Sequence, residues 1–455
     1  MSSPTSPLDL ISPWVVSQRW FASKGRVPRL ELIGSWEIPS DGPRLVTHLV
    51  MDFSARVPVL YQVPVTERTE PLDGAEAALI AEVPTDGGTT YLYDGPHDPA
   101  YAAALLRMIT TDSEATAHGA TAQGQVFGAI DISEITSSRV LRGEQSNTSI
   151  IYRVVTSNGI DRVICKVFRA LHHGENPDVV LQAALAASGS PNVPHSIGAV
   201  TGEWDDIGRD TGRARGHLAF AQEFLAGSED AWRFALRSAE EGNDFTERAH
   251  SLGTVTAEVH TLLAGSFGTT APTPAEVDAT LASWRSRLAL AIDEVPQIEE
   301  FRGTIDALYA STESLDWPAL QRIHGDYHLG QVLLAADGHW VLLDFEGEPL
   351  RPMHERSQPD FALRDVAGML RSFDYVAGSL GSTDEAKDWT RASRNAFLSG
   401  YIERAGIDLR AHRELLDAFE MDKALYEAVY EARNRPDWLP IPLAALGRLA
   451  NRPRT

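Results

Sequence analysis

Two short runs carry residue types suited to chemistry: His324-Gly325-Asp326-Tyr327-His328-Leu329-Gly330-Gln331 and, after it, Val341-Leu342-Leu343-Asp344-Phe345-Glu346. Phosphoryl transfer from ATP needs a carboxylate to orient the attacking hydroxyl and take its proton. It also needs oxygen ligands that hold Mg²⁺ against the phosphates, and a cation that grips the nucleotide. Here Asp326 is the candidate base, Gln331 an amide ligand five residues on, and Asp344 a metal carboxylate at the end of a buried strand. Glu346 falls on the same side of an extended chain as Asp344, which makes it a further candidate for the metal, or simply a loop acid. Upstream, Val163-Ile164-Cys165-Lys166-Val167-Phe168 embeds a lysine in an apolar β run. Lys166 is the candidate phosphate cation; a strand lysine that faces solvent is the other reading.

These groups need a scaffold. Leu30–Ile38, Arg44–Phe53 and Val57–Val65 read as strands broken by Pro, Gly and Ser turns, and Trp14–Phe21 has helical length. Asp98-Pro99 opens a helix to about Ile109, with Asp as cap and Pro in the first turn. Strands follow at Ser138–Leu141, Ser149–Val155, Arg162–Phe168 and Leu218–Phe224, with a helix at Pro177–Ala187. Beyond Gly227 the 3.6-residue period dominates, as in Leu252, Val255, Val259, Leu262 and Leu263. Further helices are expected at Ala275–Ile292, Ile298–Glu313, Leu363–Gly378, Ala386–Ala405 and Ala411–Asn434, interrupted by β runs at Gln331–Leu334 and Trp340–Phe345. The expected domains are a β-rich module over 1–90, a small β lobe over 91–227 and a helical lobe over 228–455.

On the last long helix, Lys423, Tyr426, Glu427 and Tyr430 occupy one arc of about 100°. Polar groups mixed with aromatic rings suit a sugar, whose hydroxyls need hydrogen-bond partners and whose C–H faces stack on rings. Glu431, Arg435 and Trp438 extend that end. A surface helix docked by its tyrosines is the plainer alternative. Asp365, heading an apolar helix, and His324 are read as anchors of the catalytic loop.

The order of these parts resembles the protein-kinase-like superfamily on its aminoglycoside-phosphotransferase side. Gly143-Glu144-Gln145-Ser146-Asn147-Thr148-Ser149, Asn176-Pro177-Asp178, the 324–331 run, Asp344-Phe345-Glu346-Gly347-Glu348-Pro349, Leu363–Phe373 and Trp438-Leu439-Pro440-Ile441-Pro442 closely resemble the actinobacterial maltokinase family, as does Gln18-Arg19-Trp20-Phe21. The resemblance implies an α+β, bilobal protein-kinase-like fold with a small β-rich N-lobe, a large helical C-lobe and an N-terminal β-rich cap. It implies ATP and Mg²⁺ as cofactors and transfer to the anomeric hydroxyl of maltose, giving α-maltose 1-phosphate for α-glucan synthesis. A glucosamine, other amino-sugar or aminoglycoside kinase of the same fold, or a non-catalytic nucleotide-binding regulator, remains open. The hairpin residues Gln145, Ser146, Asn147 and Thr148, with Glu223 and Phe224 at the end of the connector strand, are implied for ATP. His328 joins Lys423, Tyr426, Glu427, Tyr430, Glu431 and Trp438 for the acceptor. A trehalose-to-maltose isomerase is a possible partner of the cap. Kinases pair the strand lysine with a glutamate on the next helix, whereas this helix offers apolar Val180 there; Asp178, which reads equally as a helix cap, and Glu175 are the nearby substitutes.

The chain has 455 residues and a net charge of 40 − 63 = −23. So acidic a protein is a poor candidate for binding nucleic acid or an anionic membrane, both of which call for clustered Lys and Arg. A single cysteine, Cys165, permits no internal disulfide or multi-cysteine zinc site and fits a reducing cytoplasm. No apolar run approaches the 18 or so residues of a membrane span.

Overall fold

The computed structural model describes residues 6–452 apart from 129, 142–145, 158, 207, 349–350, 407–408 and 410–411. Two compact units divide it: residues 1–187 with 194–226, and residues 188–193 with 227–455. The fold is α+β and protein-kinase-like, with a β-rich N-terminal cap.

In the first unit, α1 (Pro7–Val15) precedes β1 (Leu30–Ile38), β2 (Arg44–Asp52), β3 (Val59–Arg68), β4 (Leu79–Thr85) and β5 (Gly88–Asp94). These strands form an antiparallel sheet in the order β1-β2-β3-β5-β4. The helix lies earlier than the aromatic run suggested: Pro7 starts it, Ser6 and Asp9 close a capping box, and residues 16–21 turn instead. Trp20 and Phe21 pack on Tyr61 of β3. The β4–β5 hairpin has no clear sequence signature because Pro84 interrupts its alternation. A proline is tolerated there because β4 is an edge strand.

Next come α2 (Pro99–Thr110), β6 (Glu114–Thr116), β7 (Ala120–Val126), β8 (Ile132–Val140), β9 (Asn147–Thr156), β10 (Arg162–Phe168), β11 (Ala170–Leu171), α3 (Pro177–Ala187), β12 (Ser196–Asp205) and β13 (Arg213–Glu223). Seven of these strands form a second antiparallel sheet, β6-β7-β12-β13-β10-β9-β8, while β11 joins β3 of the first. The cap sheet thus runs past residue 90 to Asp94 and takes in a strand from the small lobe. β12 lacks an obvious strand pattern because of its glycines, yet packing demands them. A Cβ on Gly198 would stand 2.2 Å from the Gln125 carbonyl oxygen. One apolar core, including Trp36, Leu105, Tyr152, Cys165 and Phe220, is shared by both sheets and α2.

The second unit contains β14 (Glu229–Asp230), α4 (Ala231–Glu240), α5 (Thr246–Phe267), α6 (Pro274–Glu294), α7 (Arg302–Thr312), β15 (Leu320–Gln321), β16 (Val332–Leu334), β17 (Trp340–Leu342), α8 (Met353–Arg356), β18 (Asp360–Phe361), α9 (Leu363–Ser379), α10 (Asp384–Ala405), α11 (Arg413–Asn434) and α12 (Pro440–Ala450). Its core is aromatic: Trp284 of α6 meets Tyr309 of α7 at 5.1 Å and Phe419 of α11 at 5.0 Å between ring centroids. The short strands β14, β16 and β17 form a ribbon on which residues 324–346 are hung. Among the described residues no helix is long and apolar enough to cross a membrane.

Candidate active site

The loop bearing Asp326 is fixed from behind by buried polar groups. Asp365, in the first turn of α9, accepts from the backbone N–H of His324 at 2.8 Å and of Gly325 at 2.9 Å. Its Oδ2 also meets His260 Nε2 of α5 at 3.0 Å. The His324 ring bonds the Leu343 carbonyl at 2.8 Å and stacks on Phe345, whose centroid is 4.5 Å away. Tyr327 Oη lies 2.9 Å from Thr256 Oγ1, and Ser372 accepts from Leu329 N. Close approach of loop and helix needs Gly368, since a Cβ there would sit 2.6 Å from the Tyr327 carbonyl oxygen. Each anchor satisfies a buried donor or acceptor, so the backbone around Asp326 has little freedom.

Gln331 and Asp344 come together across the β16–β17 ribbon: Gln331 Nε2 donates to Asp344 Oδ2 at 3.3 Å. The amide nitrogen thus faces Asp344, and carboxylate oxygens of Asp344 and Glu346 lie within 4.8 Å of each other, a donor chemistry that fits Mg²⁺. Glu346 does not share an extended chain with Asp344. The strand ends at Leu342, Asp344 adopts φ +61°, and residues 345–346 turn. Glu346 is half-buried in that turn.

A cavity of about 400 Å³ opens beside Asp326. Every acceptor residue expected from the sequence lines it: His328, Lys423, Tyr426, Glu427, Tyr430, Glu431 and Trp438. Lys423 Nζ stands 3.3 Å from Asp326 Oδ1 and 2.7 Å from Glu348 Oε1, and lies over the Tyr426 ring. Burial opposes its charge, but Glu348 and Asp326 outweigh burial and hold the ammonium protonated above its usual range. Burial likewise opposes ionisation of Glu348, yet Lys423, Arg364 and Arg287 bring its carboxyl down to about 2. Glu427 Oε2 accepts two bonds from Arg371, at 2.8 and 2.6 Å. Glu431 accepts from Tyr375 Oη at 2.9 Å and from both ends of the Arg435 fork at 2.8 and 2.6 Å. Trp438 stacks on Tyr375. Burial pushes the half-buried His328 imidazole below its usual range.

The remaining candidates lie in the first unit. Lys166 of β10 pairs with Asp178 Oδ2 at 2.7 Å, and Gln182 Nε2 holds the other oxygen at 2.6 Å. Asp178 is not the helix cap: its own N–H donates to Asn176 Oδ1. An aspartate in the first turn of α3 thus replaces the expected mid-helix glutamate. Asn147 and Thr148 open β9 and Ser146 is exposed just before it; the Thr148 hydroxyl accepts from buried Arg169 at 2.8 Å. Gln145, with Gly143 and Glu144, lies outside the described residues. Glu223 ends β13, and its N–H and that of Phe224 donate to the His195 and Arg162 carbonyls.

Sequence reasoning missed Glu348, Arg371, Tyr375 and Trp232, of which Tyr375 and Trp232 line the cavity. Arg371 and Tyr375 stand four apart on α9, one face of a helix, which is the signal that could have found them. Trp232 is half-buried rather than core.

Residues 138–415, more than half of the chain, match the model of the phosphotransferase enzyme family, and residues 14–98 match that of the maltokinase N-terminal cap domain. A glucosamine kinase of Streptacidiphilus jiangxiensis is 29 % identical over 331 residues, covering 68 % of this chain and 72 % of that protein. A glucosamine kinase of Mycolicibacterium smegmatis is 26 % identical over 383 residues, covering 78 % and 89 %. Among solved structures, a glucosamine kinase in complex with glucosamine, ADP and inorganic phosphate aligns over 98 % of this chain and all of that one, with TM-score 0.66 and 22 % identity.

Proposed function

Because this chain belongs to the phosphotransferase enzyme family, we propose that it is an ATP-dependent sugar kinase whose acceptor is maltose, phosphorylated at the anomeric hydroxyl. Asp326 orients that hydroxyl and accepts its proton as the oxygen bonds to the γ-phosphorus. The bond from that phosphorus to the ADP oxygen breaks, and the products are maltose 1-phosphate and ADP. Lys423 sets a cation beside the base and the incoming sugar. Lys166, oriented by Asp178, grips the nucleotide phosphates, with Ser146 and Asn147 in the hairpin and Glu223 and Phe224 toward the adenine. Gln331 and Asp344 would hold Mg²⁺, with Glu346 a further carboxylate within two residues. The ion, when bound, neutralises charge on the phosphates.

The observation that carries the neutral sugar is the wall along α11. Lys423 to Glu431 spans about 12 Å of helix at 1.5 Å per residue, with Tyr426 and Tyr430 between them and Trp438 beyond. That length suits two rings end to end better than one. The carboxylates lining the cavity, Asp326, Glu427 and Glu431, each already meet a cation: Lys423, Arg371 and Arg435. Hydroxyl groups can bridge such pairs without displacing either partner.

Phosphorylation of glucosamine is the second reading, favoured by the two glucosamine kinases among the relatives. An ammonium acceptor would need to compete with a resident Lys or Arg for its carboxylate. The test is phosphoryl transfer from ATP to maltose, glucose, glucosamine and an aminoglycoside in turn, with the ester located by ³¹P–¹H NMR. Maltose is expected to give the highest kcat/KM, with the ester on C1. Preference for glucosamine assigns the second reading, and no transfer to any acceptor while ATP still binds overturns both.

A further inference from the structure

A second cavity, of about 480 Å³, lies among α9, α10 and α12 and takes no part in the chemistry above. Among the described residues six cations line it, Lys387, Arg391, Arg394, Arg413, Arg448 and Arg452, against the single carboxylate of Asp374. In a chain of net charge −23 so cationic a lining is not the product of composition. Apolar side chains complete the lining: Ala377, Leu398, Ile441, Ala444 and Ala445.

The guanidiniums outnumber the acids that hold them. Arg394 is buried: one terminal nitrogen donates to both Glu420 oxygens at 2.9 and 3.0 Å, and the other to the Leu370 carbonyl at 2.9 Å and to Asp374 at 3.3 Å. Arg448 reaches Asp374 at 2.6 Å and Glu420 at 2.7 Å through one nitrogen. Arg413 and Arg452 share one oxygen of Asp417, at 3.0 and 2.6 Å. Arg371 also leans on Asp374, at 2.5 Å. Five guanidiniums thus converge on Asp374, Glu420 and Asp417. Among the described residues Arg413, Arg448 and Arg452 each donate through a single nitrogen, so most of each fork remains for a ligand. Among the described residues Lys387 and Arg391 pair only with exposed Asp384 and Asp388 on their own helix, contacts that constrain them little.

We propose that this cavity is an effector site for a small organic phosphate. The phosphate would bond the arginine forks and the carbon skeleton would lie against the apolar side chains of the lining. A direct route leads to the acceptor cavity: Asp374 holds Arg371, and Arg371 holds Glu427. A phosphate that draws Arg394 and Arg448 from Asp374 shifts the Arg371–Glu427 pair and with it sugar affinity. This coupling, though not the site itself, rests on the acceptor reading above. By linkage, sugar must change phosphate affinity by the same factor.

The test uses the full chain, glucose 6-phosphate as probe and inorganic phosphate as competitor, with ADP and maltose in excess. Calorimetry compares wild type with the rim double variant Lys387→Glu, Arg391→Glu, whose exposed positions leave folding and probe-free turnover unchanged. The variant is expected to bind the probe about tenfold or more weakly. Inorganic phosphate is expected to compete more weakly than the ester. In wild type alone the probe shifts the KM for sugar more than kcat. Equal probe affinity in both proteins overturns the site, and an inorganic phosphate as strong as the ester overturns the organic-phosphate assignment. An unchanged KM for sugar on probe binding overturns the coupling. Absence of transfer to any sugar would bear on the acceptor reading only, because the binding arm is read without turnover.

Discussion

The catalytic loop and the wall of α11 face the same cavity but are held in opposite ways. Residues 324–331 are pinned by buried Asp365 on two backbone N–H groups, by the His324 ring on the Leu343 carbonyl, and by the Thr256 and Ser372 hydroxyls. The α11 side chains are held chiefly by ion pairs: Glu427 to Arg371 of α9, Glu431 to Arg435 just past the helix end, and Lys423 to Glu348 and to Asp326 of the loop. The difference separates two jobs. In the proposed reading, a rigid loop fixes the geometry of the reacting atoms, whereas a wall of paired charges and rings fixes which molecule sits there. Loss of a loop anchor should therefore appear in kcat, and loss of a wall residue in KM.

The first way to break this contrast is Asp365→Ala. It leaves two backbone N–H groups and His260 without their shared acceptor, and a base misplaced by an ångström costs about 100-fold in kcat. Steady-state kinetics that showed a change in KM alone would merge the two regions. Next in size is Asp178→Asn, which weakens the hold on Lys166. An increase of about tenfold in the KM for ATP, with that for sugar unchanged, is expected from losing a charged hydrogen bond. On the wall, Tyr430→Ala should raise the KM for sugar by about threefold to tenfold with kcat retained, since one stacking surface is lost. Tyr430 is already exposed, so thermal stability should not move.

The smallest effect concerns the first unit alone. Burial and a nearby arginine bring His48 and His217 down to about 4, from 6.5 for an ordinary histidine. A depressed value means the neutral ring favours the fold. Stability is fully present above pH 6.5 and declines as pH drops from 6.5 to about 4. Urea midpoints across that range should fall, and His48→Gln should flatten the slope by about one proton. An unchanged slope would place His48 outside this titration.

How legible these regions were follows from the same contrast. The loop is contiguous, so His324, Asp326, Gln331 and Asp344 could be picked out as candidates by type and spacing. The stripe Lys423, Tyr426, Glu427 and Tyr430 was readable as a helix face, and all four do line the cavity. The partners were not readable. Arg371 and Glu427 are 56 residues apart, and Glu348 meets Lys423 only because the chain turns after Asp344. Asp178 was seen as a possible partner for Lys166, but its role as cap or counter-ion depended on whether Asn176 took the first-turn N–H. Strands β4, β5 and β12 escaped because Pro84, Gly198 and Gly202 break the alternation for reasons of edge position and close packing. Helix periods, by contrast, located α9, α10 and α11 within a few residues.

The central claim is that Asp326 is the base of a phosphoryl transfer, and Asp326→Asn tests it most directly. Turnover of the variant is measured with ATP and maltose, and its affinity for ATP by calorimetry. A loss of at least about 100-fold in kcat is expected, since a positioned general base contributes roughly 10²–10⁴-fold, with ATP affinity unchanged. A turnover near that of the wild type would contradict the account.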